Sequence, residues 1–371
     1  MHDHWIADRM SRIDASGIRK AFEMAKQMTD PINLSIGLPD FPVAEPVKQA
    51  AIEAILDDHA QYTVTQGLPE LRNALQSQVD KALGHSDRQV MVTSGTAGGL
   101  TLALSVVVNP GDEVLIFDPY FVMYRHLVTW VGGVSVIVDT YPDFQIDMAR
   151  VEASITPKTK AIILNSPSNP TGVVLTKQTM KDLAEICHRH QILIISDEVY
   201  AAFSYDGDFL SPASFNENVL VCDGFSKTHG MTGWRLGFAH GPAQIIQEMN
   251  KLQQFSFICA PSMVQHAAVT ALKTDMTDRI AAYKLKRDFV VHSLTQSGYE
   301  LVKPEGAFYA FPKAPWGTGS EFVAEAIRNQ LLIIPGNVFS QKDTHFRISY
   351  AVDDRTLNRG MEVLKQIARR P

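Results

Sequence analysis

The 371-residue chain has room for more than one packed core. Its 45% hydrophobic and 20% charged residues, with a net charge of −6, are ordinary for a globular protein and give no pull toward nucleic acid or an anionic membrane. Three scattered cysteines (Cys187, Cys222, Cys259) without a CxxC pair, and twelve histidines without metal spacing, argue against structural disulfides and zinc.

The N-terminal stretch lacks a basic start leading into an apolar core, and no stretch reaches about 18 uninterrupted apolar residues. The expectation is a cytoplasmic protein without a signal peptide or membrane span. Ile18, Phe22 and Ala25 fall on one face of a predicted helix that Pro31 stops. A short apolar run, Ile32 to Ile36, meets the loop Gly37-Leu38-Pro39-Asp40-Phe41-Pro42. Val47 to Leu56 predicts an amphipathic helix entered at Pro46. Gly67-Leu68-Pro69-Glu70 opens another, to about Leu83.

From residue 89 the pattern alternates. Strands are predicted at Val90 to Val92, Val114 to Phe117, Val134 to Val138, Ala161 to Leu164, Ile192 to Ile195 and Val219 to Cys222. Helices follow the turn at Ser94 to Gly99 and span Lys177 to Arg189. Short, doubly apolar strands separated by helices predict an α/β fold with a mostly parallel sheet covered on both faces, a three-layer αβα arrangement. Beyond residue 244 the pattern is helical, with a long helix from Thr277 to Gln296 ended by Gly298. A smaller α+β region closes the chain, with strands at Ala307 to Phe311, Leu332 to Ile334 and Phe346 to Tyr350 and a helix from Arg355 to Arg369. The expected division is a large domain over 42–285 and a small domain built from 1–41 and 286–371.

In parallel α/β sheets ligands collect at the carboxyl ends of strands. Gly95-Thr96-Ala97, Asn169, Asp197, Tyr200, Ser226 and Lys227 each follow a predicted strand. Each has a plainer reading: a glycine-rich turn, an Asn-Pro turn, an N-cap, core packing, a solvated lysine. Together they make one consistent site. Gly95, Thr96, Ser226 and Arg235 form a phosphate cradle, with backbone N–H groups at a helix start. Asp197 is an acid for a ring nitrogen, Asn169 and Tyr200 are donors for a phenolic oxygen, and Lys227 is an amine for an aldehyde. That set of partners describes pyridoxal phosphate. In Phe346-Arg347-Ile348-Ser349-Tyr350, strand alternation puts Arg347 opposite the apolar residues, and a guanidinium suits a carboxylate.

The chain resembles the fold-type I pyridoxal-phosphate enzymes, class I/II aminotransferases of the aspartate aminotransferase superfamily. The resemblance runs through Ser16-Gly17-Ile18-Arg19, Ile36 to Phe41, Ser166 to Gly172, Ser196 to Tyr200, Phe225 to Gly237, Pro304 to Tyr309 and Phe346 to Tyr350. It implies that Lys227 holds the cofactor's aldehyde and then serves as general base, that Asp197 keeps the pyridine nitrogen protonated, and that Tyr200 and Asn169 bond its phenolic oxygen. It also implies that Ala97 joins the phosphate cradle and that Phe121 stacks on the ring. Tyr62 matches a tyrosine reaching the neighbouring subunit's cofactor, which implies a homodimer with shared active sites. Arg347 matches the grip on the substrate α-carboxylate, with Asn169 and the backbone at Gly37 assisting.

The implied reaction moves an amino group from an L-amino acid to a 2-oxo acid by a ping-pong route. 2-Oxoglutarate and pyruvate are the acceptors that family habit suggests. A C–S β-lyase is the nearest alternative, since elimination also begins with loss of the α-proton. A cofactor-sensing module on a DNA-binding domain would need a helix-turn-helix segment and a basic patch, and the chain shows neither. The substrate side chain stays open. A dicarboxylate needs a second cation, for which Arg19 and Arg125 are candidates. Alternatively Phe121, Tyr62, Ile18, Tyr120 and Trp316 line an apolar pocket.

Overall fold

The computed structural model describes residues 3–15, 17 and 28–369. The predicted face of Ile18, Phe22 and Ala25, and Arg19 with it, lies outside those residues. A two-residue strand, β1 (Ile32–Asn33), comes first. The main sheet then uses β2 (Arg88–Thr93), β3 (Glu113–Asp118), β4 (Val134–Asp139), β5 (Thr159–Asn165), β6 (Leu193–Asp197), β7 (Val219–Gly224) and β8 (Gly237–Pro242). Their order across the sheet is β2-β8-β7-β6-β5-β3-β4. The β7-β6-β5-β3-β4 neighbours are parallel, and β8 runs antiparallel to both β7 and β2.

Strand β8 is the element that the hydrophobic pattern hides. Its sequence, Gly-Phe-Ala-His-Gly-Pro, is poor in β-branched residues and ends on a residue with no N–H to give. It is held instead by pairing on both sides. The other six main-sheet strands coincide with predicted ones to within a few residues.

Alternation along the central strands explains the three layers. Val114, Ile116 and Ile163 enter one apolar cluster with Leu100, Leu104, Leu127 and Met249. Leu115, Ile162 and Leu164 enter the other with Val151, Met180, Leu183 and Ile186. Successive residues point to opposite faces, so each strand feeds both cores. Each fully buried Leu or Ile contributes roughly 1.5–3 kcal/mol, which is why helices Gly95–Val107 and Lys177–Arg189 clamp opposite faces.

A second packing centre gathers Phe203, Tyr283, Phe308, Phe322, Phe346 and Leu364. Here β9 (Tyr309–Ala310), β10 (Leu331–Leu332), β11 (Ile334–Pro335) and β12 (Phe346–Ser349) are short. β12 is central and antiparallel to β9 and β11, while β10 pairs in parallel with β1. The predicted single strand Leu332 to Ile334 is therefore two strands in two sheets. Gln330 takes a left-handed φ of 61° just before β10, and Pro335 cannot donate to a second neighbour. The chain changes partners at Ile333, which is itself buried.

Helix Thr277–Gln296 has its predicted ends, and the closing helix is Asp354–Ile367, capped by Asp353 accepting from the Thr356 N–H. Among the described residues no helix is long and apolar enough to cross a membrane, and no cluster of His, Cys, Asp or Glu could hold a metal ion.

Candidate active site

A cavity of about 370 Å³ opens where the strand ends of the main sheet meet β9 and β12. Lys227 stands in it on the short helix Phe225–Thr228, directly after β7. Its Nζ donates to the Gly37 carbonyl at 2.6 Å and lies 5.9 Å from the ring centres of Tyr200 and Phe308. Burial, reinforced by the charges of Arg347 and Arg235 and opposed by Asp197, pushes the amine down to about 8. Gly37 has to be glycine: a Cβ there would sit 2.0 Å from the Tyr309 hydroxyl oxygen.

Asp197 ends β6 and is 4% exposed. The Tyr124 hydroxyl donates to its Oδ2 at 2.7 Å, and the Val199 N–H to its Oδ1 at 3.3 Å. Burial raises its carboxyl to about 6, against those hydrogen bonds and the Lys227 charge. Asn165, at the end of β5, donates from Nδ2 to the Asp197 carbonyl at 2.9 Å and accepts from the Asn169 N–H at 2.8 Å. One side chain thus ties two strand ends to the Asn169 loop.

Arg347, on β12, is 1% exposed. Its Nη1 donates to Asn169 Oδ1 at 2.9 Å and its Nη2 to the Ser35 carbonyl at 2.7 Å. The guanidinium lies 4.6 Å from the ring centres of both Tyr309 and Phe339. Its Nε is buried without a partner. A buried cation with a donor to spare calls for an anion. Tyr200 pairs hydroxyl to hydroxyl with Tyr309 at 2.7 Å, and burial holds its phenol well above 10.

The turn after β2 has the donors to hold a second anion. Gly95 opens helix Gly95–Val107 with a left-handed φ of 70°. A Cβ there would lie 2.5 Å from Arg235 Nη2, so glycine admits both the turn and the guanidinium. The first N–H groups of a helix lack intrahelical partners and favour an anion. Thr96 Oγ1 is buried there without a partner. Ala97 and Ser226 line the cavity, as Arg235 does. Arg235 itself has a φ of 55°, an unusual conformation for a residue with a Cβ and one that clusters at functional sites.

The family description "Aminotransferase class I and II" matches residues 29–364. The chain belongs to the class I and II aminotransferases. An aspartate aminotransferase of Pyrococcus abyssi is 36% identical over 382 residues, covering 98% of each chain. Aromatic-amino-acid aminotransferase 2 of Thermococcus litoralis is 34% identical over 380 residues, again 98% of each. The solved aspartate aminotransferase of Thermus thermophilus with maleate superposes with a TM-score of 0.93 at 32% identity, over 97% of this chain and 99% of that one.

In this aminotransferase the cavity gathers Gly37, Thr96, Ala97, Phe121, Asn169, Asp197, Tyr200, with Ser226, Lys227, Arg235 and Arg347 completing it and Gly95 against Arg235. Tyr62 is elsewhere, 78% exposed on the surface. Of Phe121, Tyr62, Ile18, Tyr120 and Trp316, expected to line an apolar pocket, the described ones are not all brought together in this chain. Phe121 alone of these lines the cavity. Tyr120 is buried beside a smaller adjoining space. Trp316 packs on Phe322 and donates from Nε1 to the Ile367 carbonyl at 3.0 Å. It lies just before helix Gly319–Arg328 and is half-buried against the second packing centre. Arg125 donates to the Tyr120 hydroxyl at 3.2 Å and does not line the cavity. Ile18 lies outside the described residues.

Sequence reasoning missed Tyr124, Tyr309, Asn165 and Met123. Tyr124 follows Phe121 by three residues at the start of helix Met123–Trp130, a spacing that would have put both on one side. The hydroxyl of Tyr124 gives a prediction. Folding raises the Asp197 pKa from 3.8 to about 6, so the folded chain binds that proton better and this group's contribution falls as pH rises through about 6. Tyr124→Phe removes a donor to the ionised form, which raises the pKa further. The variant is expected to lose about 1.5–3 kcal/mol of stability at pH 8 and less below pH 5. Denaturant unfolding at both pH values checks this. Equal losses would mean that the hydroxyl does not support a carboxylate.

Proposed function

We propose that this aminotransferase binds pyridoxal 5′-phosphate in the cavity and moves an amino group from an L-amino acid to a 2-oxo acid. The observation that carries the reading is the pair of unsatisfied buried groups, Thr96 Oγ1 and Arg347 Nε, at two anion sites with an amine and an acid between them. Gly95, Thr96, Ala97, Ser226 and Arg235 would hold the phosphate. Asp197 would hold a proton at the ring nitrogen, Phe121 would lie against the ring, and Asn169 and Tyr200 would face its phenolic oxygen. Arg347 already occupies Asn169 Oδ1, which leaves the amide Nδ2 to donate.

Bound there, the cofactor supplies an aldehyde for the amine and a conjugated ring that draws electrons from the substrate α-carbon. Arg347 orients the substrate by its α-carboxylate, helped by Asn169 and the Ser35-Ile36-Gly37 backbone. Lys227, as a free amine beside the substrate α-carbon, would take the α-proton. With one carboxylate anchor in one cavity, the amino acid and the 2-oxo acid use the site in turn, which gives ping-pong kinetics. Residues 42–285 would carry the cofactor, and 1–41 with 286–371 would form the small domain. A homodimer fits the exposed apolar side chains of Ile52, Ile55, Leu56, Tyr62 and Phe255. Gln253 donates to the Thr65 carbonyl and Gln265 to Thr63 Oγ1, so the Tyr62 loop is held out as a formed surface to reach a partner's cavity. A cytoplasmic location fits three cysteines left as free thiols.

The test is the reaction of cofactor-loaded protein with one amino acid and no acceptor. One equivalent of 2-oxo acid, then arrest until a 2-oxo acid is added, is the expected result. Continuing release of ammonia and pyruvate would make the protein a β-lyase instead. A pH prediction accompanies it. A lysine is a nucleophile only when neutral, and this one is half neutral near pH 8 rather than 10.5. Cofactor capture by the apo-protein, trapped by reduction, is expected to speed up through about pH 8 and then level. A midpoint near that of an ordinary lysine would show that burial does not tune the amine.

A further inference from the structure

The substrate's side chain has a place that the residues on the page describe. The Ser35 carbonyl accepts from Arg347, at 2.7 Å, and the Gly37 carbonyl accepts from Lys227, at 2.6 Å. A substrate held by its carboxylate on Arg347, with its α-carbon beside Lys227, therefore lies along this segment. Between the two carbonyls is Ile36, and Leu38 follows; both line the cavity. Met123 lines it too, brought in at the start of helix Met123–Trp130.

The charges of the described lining are already committed. Among the described residues lining the cavity the cations are Lys227, Arg235 and Arg347. Arg347 is bonded to Asn169 and Ser35, Arg235 stands against the Gly95 turn, and Lys227 is the reactive amine. Arg125, two residues after Met123, is bonded to the Tyr120 hydroxyl and does not line the cavity. Against Ile36, Leu38 and Met123 a second carboxylate on the substrate would give up part of its hydration for apolar contact, without a described cation of this chain to pair with it, which is unfavourable.

Resting on the transamination reading, we propose that the side-chain site selects uncharged amino acids with apolar or aromatic side chains over aspartate and glutamate. Ile36, Leu38 and Met123 form the selecting wall. Apolar contact there strengthens with each buried methylene, whereas a dicarboxylate loses hydration and gains no partner.

The experiment is the single-amino-acid half-reaction of the cofactor-loaded protein with L-phenylalanine, L-leucine, L-methionine, L-aspartate and L-glutamate, read as 2-oxo acid released. The best apolar donor is expected to exceed both dicarboxylates by at least ~10-fold in second-order rate. Aspartate or glutamate reacting as fast would overturn the proposal. Leu38→Arg is the second arm. Leu38 is 43% exposed, so a guanidinium there can be hydrated at the mouth while the chain still folds. It is expected to raise the aspartate-to-phenylalanine ratio by ~10-fold. An unmoved ratio would overturn this placement of the site. Release from no amino acid at all would fail differently: it would remove the transamination reading, and the proposal with it.

Discussion

Lys227→Ala is expected to fold, to retain cofactor without a covalent bond, and to lose at least ~10³-fold in turnover. Two roles end at one atom. On the proposed reading the amine captures the cofactor's aldehyde and then moves the α-proton. No neighbour is placed to substitute. The Tyr200 hydroxyl is paired with Tyr309 and is held well above 10, so it is a poor base at neutral pH. The Asp197 carboxylate is engaged by Tyr124 and Val199. The proposed phosphate cradle at Gly95, Thr96 and Arg235 does not depend on Lys227, so binding and chemistry separate. Stability separates them further. The native amine is desolvated and its charged form disfavoured, so replacing it by alanine removes a buried cation, which offsets the loss of its hydrogen bond to the Gly37 carbonyl. The measurements are cofactor retained on gel filtration, the thermal midpoint, and the half-reaction rate. Near-native turnover in a folded, cofactor-bound variant would take Lys227 out of the mechanism.

How much of this site was legible follows from how local each piece is. Lys227, Asp197 and the Gly95 turn each sit at the end of an apolar strand, and the strand-helix rhythm exposes such ends. Arg347 was legible because β-alternation isolates it from Phe346 and Ile348. What escaped were partnerships between distant segments. Tyr124 and Asp197 are 73 residues apart, and Tyr200 and Tyr309 are 109 apart; no periodicity encodes either pair. The Tyr309 hydroxyl also fixes Gly37 as a glycine, a constraint that acts across the two packing centres and leaves no mark near either residue. The fold shows the same division. β8 was missed because its pairing on both sides, rather than its composition, makes it a strand. Trp316 was misplaced because an aromatic residue in a loop fits a core as well as a pocket until the packing is known.

Asp197→Ala is the second large effect. The substitution removes the acid, and it also leaves the Tyr124 hydroxyl buried without its acceptor, so some destabilisation comes with it. Asp197→Asn isolates the charge. The amide has nearly the same shape, and its oxygen can still accept from Tyr124, giving up only the longer, 3.3 Å bond from the Val199 N–H. Because burial disfavours the native carboxylate, the Asn variant is expected to be at least as stable as the native chain above about pH 6. Its chemistry is expected to suffer regardless. A neutral amide cannot hold a proton at the ring nitrogen, so the pull on the substrate α-carbon weakens and turnover falls by ~10³-fold or more. Both variants should also release cofactor more readily, Ala more than Asn. Thermal unfolding at pH 5 and pH 8, cofactor titration and the half-reaction rate together distinguish charge from scaffold. A stable Asn variant with reduced turnover assigns the effect to charge, because the fold and the Tyr124 bond are intact in it. Full activity in that variant would mean that Asp197 serves only to anchor Tyr124, and the acid at the ring nitrogen would have to be sought elsewhere in the cavity.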